Sequence, residues 1–273
     1  MTIIIKSVTK PDYGNWVSVN MIKSLTIGLL FSVVFSILSF CPFTKEWSIS
    51  AVWIARIIFL LLAAAIIFAT AYFCICRALF SYDGRYKIQN RVLDYVLSHF
   101  EFDKGNILDI GCGSGALSIK TIKKFPSACV TGMDYWGTEW NYAKEQCEKN
   151  AELEGVADRV AFQKGDAAKL DFPDEHFDGA VSNFVFHEVK GQPDKRLVVK
   201  EALRVVKKGG MFAFHDLFLE KHFYGNIEEF ISELKNDGIS EITFLRSNEE
   251  SFIPKLLKSR IMLGKIGLIY GRK

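Results

Sequence analysis

No cysteine pair in this 273-residue chain has zinc-ligand or thioredoxin spacing, although six cysteines are present: Cys41, Cys74, Cys76, Cys112, Cys129 and Cys147. That absence sets aside structural zinc and dithiol redox chemistry. It predicts reduced thiols in a cytosolic compartment, with Cys112 as a small residue in a tight loop. Internal repeats, low-complexity tracts and tails of like charge are also missing, and collagen-like, disulfide-scaffold and disordered classes go with them. Acidic residues are nearly absent from one part of the chain. Residues 1–80 hold two of the 31 Asp and Glu but six of the 34 Lys and Arg. The remainder, with 28 basic and 29 acidic residues, mixes its signs and offers no stripe for tracking phosphates, so no nucleic-acid partner is expected.

What the chain has in excess is apolar sequence. Its 23 Phe and a mean hydropathy of +0.14 are high for a chain with 24% charged residues. The excess lies in two uncharged runs, SLTIGLLFSVVFSILSFC at 24–41 and IIFLLLAAAIIFATAYFCIC at 57–76. Each is long enough to cross a hydrocarbon core of about 30 Å as a helix. The connection carries Lys45, Glu46, Trp47, Trp53 and Arg56, residues suited to the headgroup level. A cleaved signal peptide is the alternative for the first run, since Lys23 precedes it and Cys41-Pro42 ends it, but a clear small-x-small site is lacking and a second run follows. A buried helical hairpin is the other alternative, against which stands apolarity on all faces. Two antiparallel spans are therefore expected. Lys6, Lys10 and Lys23 before the first and Arg77, Arg85, Lys87 and Arg91 after the second place both ends in the cytoplasm by the positive-inside bias.

The expected organisation is a membrane anchor over 1–80, a linking helix within 81–104 and a domain over 105–273. In the linker, Ile88, Val92, Tyr95, Val96 and Phe100 recur at helical spacing. Beyond it, strands are predicted at 106–110, 128–133, 159–163, 177–182 and 210–215, alternating with helices at about 116–124, 138–154, 192–206 and 227–236. This alternation predicts a parallel sheet covered by helices on both faces. Residues 241–246 and 263–270 read as an antiparallel strand pair closing one edge, and 247–262, with Pro254, as either a short helix or a flap over a site.

The first strand runs into ILDIGCGSGALS, placing Gly111, Gly113 and Gly115 at a strand-to-helix turn where backbone must approach a ligand closely. Asp109 precedes them, Asp134 ends the second strand and Asp166 ends the third. Ligands in doubly wound sheets sit at such carboxyl ends. There Asp134 can accept from ribose hydroxyls and Asp166 from an exocyclic amine, with the Ala167 N–H free for a ring nitrogen; Asp109 can orient the loop or receive an ammonium group. Each acid alone is equally a helix N-cap or turn residue.

Residues 105–216 resemble the class I S-adenosylmethionine-dependent methyltransferases in ILDIGCGSG, VTGMDYW, FQKGDAAKLDFPDEHFD, AVSNFVFHEV and ALRVVKKGGMFAFHD. The resemblance implies an α/β, Rossmann-like, doubly wound and mostly parallel seven-stranded sheet with a reversed last strand. It also implies bound S-adenosylmethionine, with Asp109, Gly111 and Gly113 near the methionine part, Asp134 on the ribose, Asp166 near adenine, Asn183 and Phe184 lining the methionine side, and Gly115, Tyr135 and Ala167 among the cofactor-binding residues. No metal is implied. A dinucleotide is the rival, because Gly111-x-Gly113-x-x-Ala116 with a later acid also fits its fingerprint. Asp109, the Gly165-Asp166-Ala167 turn and the reversed strand favour the methyl donor.

Methyl transfer from a sulfonium mainly requires alignment and exclusion of water, so a base is needed only for some acceptors. Candidates are His187 with Glu188, after the fourth strand, and His215 with Asp216, after the fifth; a histidine in such a place is more often structural. Phe184, Phe186, Phe214, Phe218, Phe223 and Tyr224 are core residues or walls of an apolar cleft. The function expected is a multi-pass membrane methyltransferase, its catalytic domain cytoplasmic, with a small-molecule or lipid-soluble acceptor. The alternatives are a tethered binding module without turnover and an enzyme acting on a membrane protein.

Overall fold

The computed structural model describes residues 10–38, 49–137 and 143–273. The chain forms two units: Asn15–Gln89, and Asn90–Lys273 together with the segment that ends at Gly14. The apolar unit therefore extends past residue 80, while residues 10–14 belong with the C-terminal unit.

In the first unit the helices run past the uncharged stretches and take in the flanking Lys23, Arg56 and Arg77. Helix α1 covers Val19–Leu38 and α2 covers Ile49–Phe80. At 1.5 Å per residue these reach about 30 and 48 Å. Val19–Leu38 and Ser50–Phe80 are each apolar and long enough to cross a membrane, and only 6% of each apolar window is buried, so neither is the core helix of a packed domain. The helices run antiparallel: Ser32 Oγ donates to the Phe59 carbonyl at 3.0 Å, Phe35 stacks on Phe59 at 5.7 Å, and Gly28 faces Ile66. The Arg77 guanidinium donates to the Val17 carbonyl near the open end of the pair. Cys41, Lys45, Glu46 and Trp47 lie outside the described residues.

The C-terminal unit begins within α3 (Ile88–Ser98) and continues through β1 (Gly105–Ile110), α4 (Ala116–Lys124), β2 (Ala128–Asp134), α5 (Lys144–Leu153), β3 (Val160–Lys164), β4 (Phe177–Asn183) and α6 (Lys195–Arg204). It ends with β5 (Val206–Asp216), α7 (Lys221–Tyr224), α8 (Ile227–Asn236), β6 (Glu241–Leu245) and β7 (Gly267–Arg272). The strands form one sheet in the order β3-β2-β1-β4-β5-β7-β6. All pair parallel as far as β5, whereas β7 runs antiparallel to both β5 and β6. Strand order reverses between β1 and β4, which places the ligand-binding crevice at their carboxyl ends.

Local chemistry adjusts several predicted boundaries. Asp194 accepts from Arg196 N as the N-cap of α6, so the helix predicted from 192 begins later. Helix α5 begins at Lys144 after extended Ala143, and residues 138–142 of the predicted helix lie outside the described residues. The strand predicted from 210 begins earlier, at Val206, because a register shift opposite Phe177–Gly179 carries β5 through Lys207–Gly210, with Gly209 at φ +74°. Leu263 and Gly264 donate back to the Leu257 and Ser259 carbonyls, so β7 starts only at Gly267. The 247–262 insertion contains two 3-10 turns, Ser247–Glu249 and Lys255–Lys258.

Residues 12–13 are tied to this unit by Asn150, buried in α5. Its side chain accepts from Asp12 N at 2.8 Å and donates to the carbonyls of Asp12 (2.7 Å) and Ser114 (2.9 Å). The Ser114 hydroxyl donates to the Tyr13 carbonyl, and the Tyr13 hydroxyl to Glu154. An Asn150→Ala variant leaves these groups unpaired, at about 1–3 kcal/mol for each one left buried. It is expected to speed proteolysis within residues 10–17, measured by mass spectrometry of timed digests. An unchanged digestion rate contradicts this tether.

Candidate functional site

At the end of β1 the N–H groups of Gly111 and Cys112 both donate to the Met133 carbonyl, at 2.7 and 3.0 Å, turning the chain sharply beside β2. Gly111 has φ +71°, and a Cβ there would lie 2.1 Å from Val185 Cγ2, so a side chain is barred by conformation and by space. The Gly113 N–H donates to Asp134 Oδ2 at 2.8 Å, and the Trp136 N–H to Asp134 Oδ1 at 2.8 Å. The Trp136 indole N–H and the Cys147 thiol both approach the Gly113 carbonyl at 3.0 Å. Asp134 thus does two jobs: each carboxylate oxygen anchors backbone, and each keeps a further lone pair.

Asp109 is buried on β1. Its Oδ2 accepts from the Ser118 hydroxyl at 2.5 Å, while Oδ1 has no partner. Burial, aided by the nearby Asp134 charge and opposed by Ser118, pushes its carboxyl up to about 7. Asp166 is exposed past the end of β3, with Oδ1 accepting from Ala168 N at 2.8 Å, and Ala167 is buried beside it. Tyr135 is exposed, with Lys164 Nζ 5.2 Å from its ring centre. At the end of β4, Asn183 Oδ1 lies 2.9 Å from His215 Nδ1, and Phe184 takes φ +58° with its ring 5.0 Å from the His215 ring. The glycine turn, Asp109, Asp134, Asn183, Phe184 and His215 therefore share the carboxyl edge around the β1/β4 switch point, and Asp166 lies along the same edge on the β3 side.

The two histidines have opposite environments. His187 Nδ1 lies 2.7 Å from Asp216 Oδ1, and Nε2 lies 3.4 Å from Glu188. Burial disfavours its charge, but the Asp216 charge and hydrogen bond, with help from Glu188, outweigh burial and raise it to about 10. With its value raised this far, His187 is an imidazolium at neutral pH and donates to Asp216. Burial instead drives His215 down to about 4 against the opposing Asp216 charge, leaving it neutral.

Asp216 was expected only as a companion of His215, yet it organises the loop after β4. Fully buried, its Oδ2 accepts from Val185 N (3.1 Å), Phe186 N (2.8 Å) and, more weakly, His187 N (3.4 Å), while Oδ1 accepts from Leu217 N at 2.6 Å. Its carboxyl is held below the ordinary range by His187 and these N–H groups, which outweigh burial. Trp136, Val185 and Ser118 also stand at this edge; each lies inside a quoted segment, VTGMDYW, AVSNFVFHEV or ILDIGCGSGALS, but is not singled out by it. Of the six aromatics expected near this edge, Phe186, Phe214, Phe218 and Tyr224 are fully buried between sheet and helices, leaving Phe184 and Phe223 partly open. Among the described residues no group of three or more His, Cys, Asp or Glu is placed to hold a metal ion.

Asp216→Asn breaks a buried ion pair and is expected to cost about 3–5 kcal/mol in denaturant unfolding at pH 7. A raised histidine stabilises fully below its unfolded value near 6.5 and stops contributing as pH rises through about 10, so the gap from wild type narrows there. A lowered Asp216 loses its contribution as pH falls below the ordinary carboxyl range, so the gap narrows in acid too. Asp109→Asn has the opposite sign. A buried acid raised to about 7 binds more protons folded than unfolded, so wild-type stability falls from pH 4 to 7, and the variant gains on wild type across that window. A pH-independent difference contradicts either assignment.

Residues 108–214 match the methyltransferase domain family. The chain is 34% identical over 110 residues to a sterol 24-C-methyltransferase of Aspergillus fumigatus, covering 40% of this chain and 27% of that protein. It is 33% identical over 116 residues to the 27-O-demethylrifamycin SV methyltransferase of Amycolatopsis mediterranei, covering 41% and 39%. Among solved structures, geranyl diphosphate C-methyltransferase from Streptomyces coelicolor superposes with a TM-score of 0.49 at 15% identity, covering 68% of this chain and 80% of that one. The chain spans well under half the length of these two curated relatives. Within the C-terminal unit, residues 108–214 are thus what is similar to a methyltransferase domain.

Proposed function

We propose that the chain is a membrane-anchored S-adenosylmethionine-dependent methyltransferase acting on a small-molecule or lipid-soluble acceptor. The observation that carries this reading is the glycine turn pinned by Met133 and Asp134 at the switch point of the sheet, because it leaves backbone exposed to a ligand just where carboxylates converge. The residues fit the donor. Asp109 keeps an unpartnered buried oxygen beside the turn, and Asp134 keeps lone pairs beyond its two backbone contacts. Gly111 lacks the Cβ that would collide with Val185.

In this reading Gly111, Gly113 and Gly115 shape the berth, Asp109 favours the amino group of the methionine part, and Asp134 beside Tyr135 accepts from the ribose hydroxyls. Asp166 and the Ala167 N–H meet adenine, while Asn183 and Phe184 line the methionine side. When bound, S-adenosylmethionine supplies an activated methyl group together with its own leaving group. The protein aligns the acceptor and excludes water. Asp216 and His187 act here as positioning residues that hold the loop carrying Phe184.

The acceptor class follows from two supports. Helices α1 and α2 are suited to hold the chain at a bilayer, with Arg77, Arg85, Lys87 and Arg91 beyond α2 favouring a cytoplasmic C-terminal unit. The sterol 24-C-methyltransferases among the relatives bear the name of a lipid acceptor.

Asp134→Ala is expected to weaken S-adenosylhomocysteine binding at least tenfold by calorimetry, a loss of about 1.4 kcal/mol or more. Native membranes given isotope-labelled donor and the full chain are expected to yield label in an extractable small molecule. Label confined to protein, or none at all, contradicts the acceptor class. The chain is further expected to stay in the membrane pellet at alkaline pH; release into the supernatant contradicts the anchor.

A further inference from the structure

Basic charge is spread unevenly after the apolar helices. Residues 81–253 hold 22 Lys and Arg against 29 Asp and Glu, whereas 254–273 hold six Lys and Arg and no acid. Four of the six, Lys255, Lys258, Arg260 and Lys265, fall within residues 255–265. The same stretch exposes Leu256 (40%) and Ile261 (70%), and among the described residues of the C-terminal unit no large apolar side chain is as open as Ile261. Apolar side chains held in water beside unpaired cations suit a bilayer surface, whose acyl boundary takes the first and whose anionic headgroups take the second. We infer that residues 255–265 form a docking turn for an anionic lipid surface, with Ile261 and Leu256 entering the acyl boundary and Lys255, Lys258 and Lys265 meeting headgroup phosphates. This rests on the membrane part of the reading above and extends it to a surface of the C-terminal unit itself.

The backbone of this turn is closed by its own hydrogen bonds. The Leu257 N–H donates to the Pro254 carbonyl at 2.9 Å, the Leu263 N–H to the Leu257 carbonyl at 2.8 Å, and the Met262 and Gly264 N–H groups to the Ser259 carbonyl at 3.1 and 2.9 Å. A Cβ at Gly264 would stand 2.6 Å from the Lys258 carbonyl oxygen, so glycine is what lets the chain close this tightly. Ile253, Leu257 and Leu263 are buried beneath it, which leaves Leu256 and Ile261 presented outward on a fixed frame. Among the described residues Lys255, Lys258 and Lys265 have no carboxylate within ion-pairing distance, and Arg260, 75% exposed, reaches Glu220 at 3.2 Å. Each exposed cation adds about fivefold to binding at an anionic membrane. The same charges suit an acidic protein, but α1 and α2, long and apolar enough to cross a membrane, favour lipid. The turn also stands at the carboxyl edge of the sheet, because β7 begins with Gly267 opposite Asp216 at the end of β5, and the Leu219 N–H donates to the Lys265 carbonyl at 3.0 Å. Docking through it brings that edge to the surface where a lipid-soluble acceptor resides.

The test uses the full chain in nanodiscs of phosphatidylcholine alone and of phosphatidylglycerol alone, with co-elution of chain and disc measured first. Hydrogen exchange is followed by mass spectrometry over 255–265 and, as the reference, over α4. Exchange in the turn is expected to be at least fivefold slower in phosphatidylglycerol than in phosphatidylcholine, with α4 unchanged. That difference is expected to shrink at least threefold in about 1 M salt, where the screening length falls to about 3 Å. The double variant Lys255→Glu, Lys258→Glu is expected to lose the lipid preference, and Ile261→Ser to lose at least threefold of the protection, both with wild-type exchange in α4 as the sign that they fold. Equal exchange of the wild-type turn in the two lipids, which leaves an acidic protein as its partner, overturns the inference. So does a preference intact in the double variant or protection intact in Ile261→Ser. A chain that elutes apart from both discs contradicts the anchor instead. The turn is then judged by cosedimentation with phosphatidylglycerol vesicles, which the double variant is expected to weaken at least fivefold; binding undiminished in that variant overturns the inference.

Discussion

Two N–H groups donating to one carbonyl, Gly111 and Cys112 onto Met133, fix the turn on which the candidate site depends. A turn this tight requires positive φ at Gly111 and brings Val185 to within 2.1 Å of where a Cβ would stand. It also sends the Gly113 N–H toward Asp134, so the acid that can take a ribose simultaneously braces the loop that would cradle the rest of the ligand. Binding chemistry and loop geometry are therefore coupled through a single carboxylate. A change at Asp134 removes acceptors and loosens the turn together.

On the other side of the switch point, Asp216 plays the corresponding part. Its buried carboxylate gathers backbone N–H groups from successive residues after β4 and pairs with the imidazolium of His187. Such a charge is tolerable inside the protein only because every lone-pair direction meets a donor. The loop so held carries Phe184 at positive φ beside His215. One histidine serves as a fixed cation, and the other is left neutral with an unsatisfied nitrogen.

Much of this architecture was legible in the sequence because it is written in local patterns. The βα alternation follows from short apolar runs and amphipathic spacing, and the glycine turn from residues that few other conformations need. Apolar runs without charge likewise announced α1 and α2, although the helices extend past the runs at the ends that are described. What was not legible depends on contacts distant in the chain. Asp216 lies about thirty residues from the N–H groups it caps, and Asn150 is 138 residues from Asp12. Motif position placed both histidines at the carboxyl edge, but the partners that set their charge states come from other strands and loops. The early start of β5 has a related reason: pairing with β4 across a register shift carries the strand back to Val206, ahead of the predicted 210.

The central claim is that this carboxyl edge holds an adenosyl sulfonium and not a dinucleotide. Equilibrium dialysis of the purified full-length chain against S-adenosylmethionine labelled on its methyl group tests it most directly. The account predicts saturable binding of one donor per chain, displaced by S-adenosylhomocysteine and untouched by NADH. Absence of binding, or displacement by NADH alone, would contradict it.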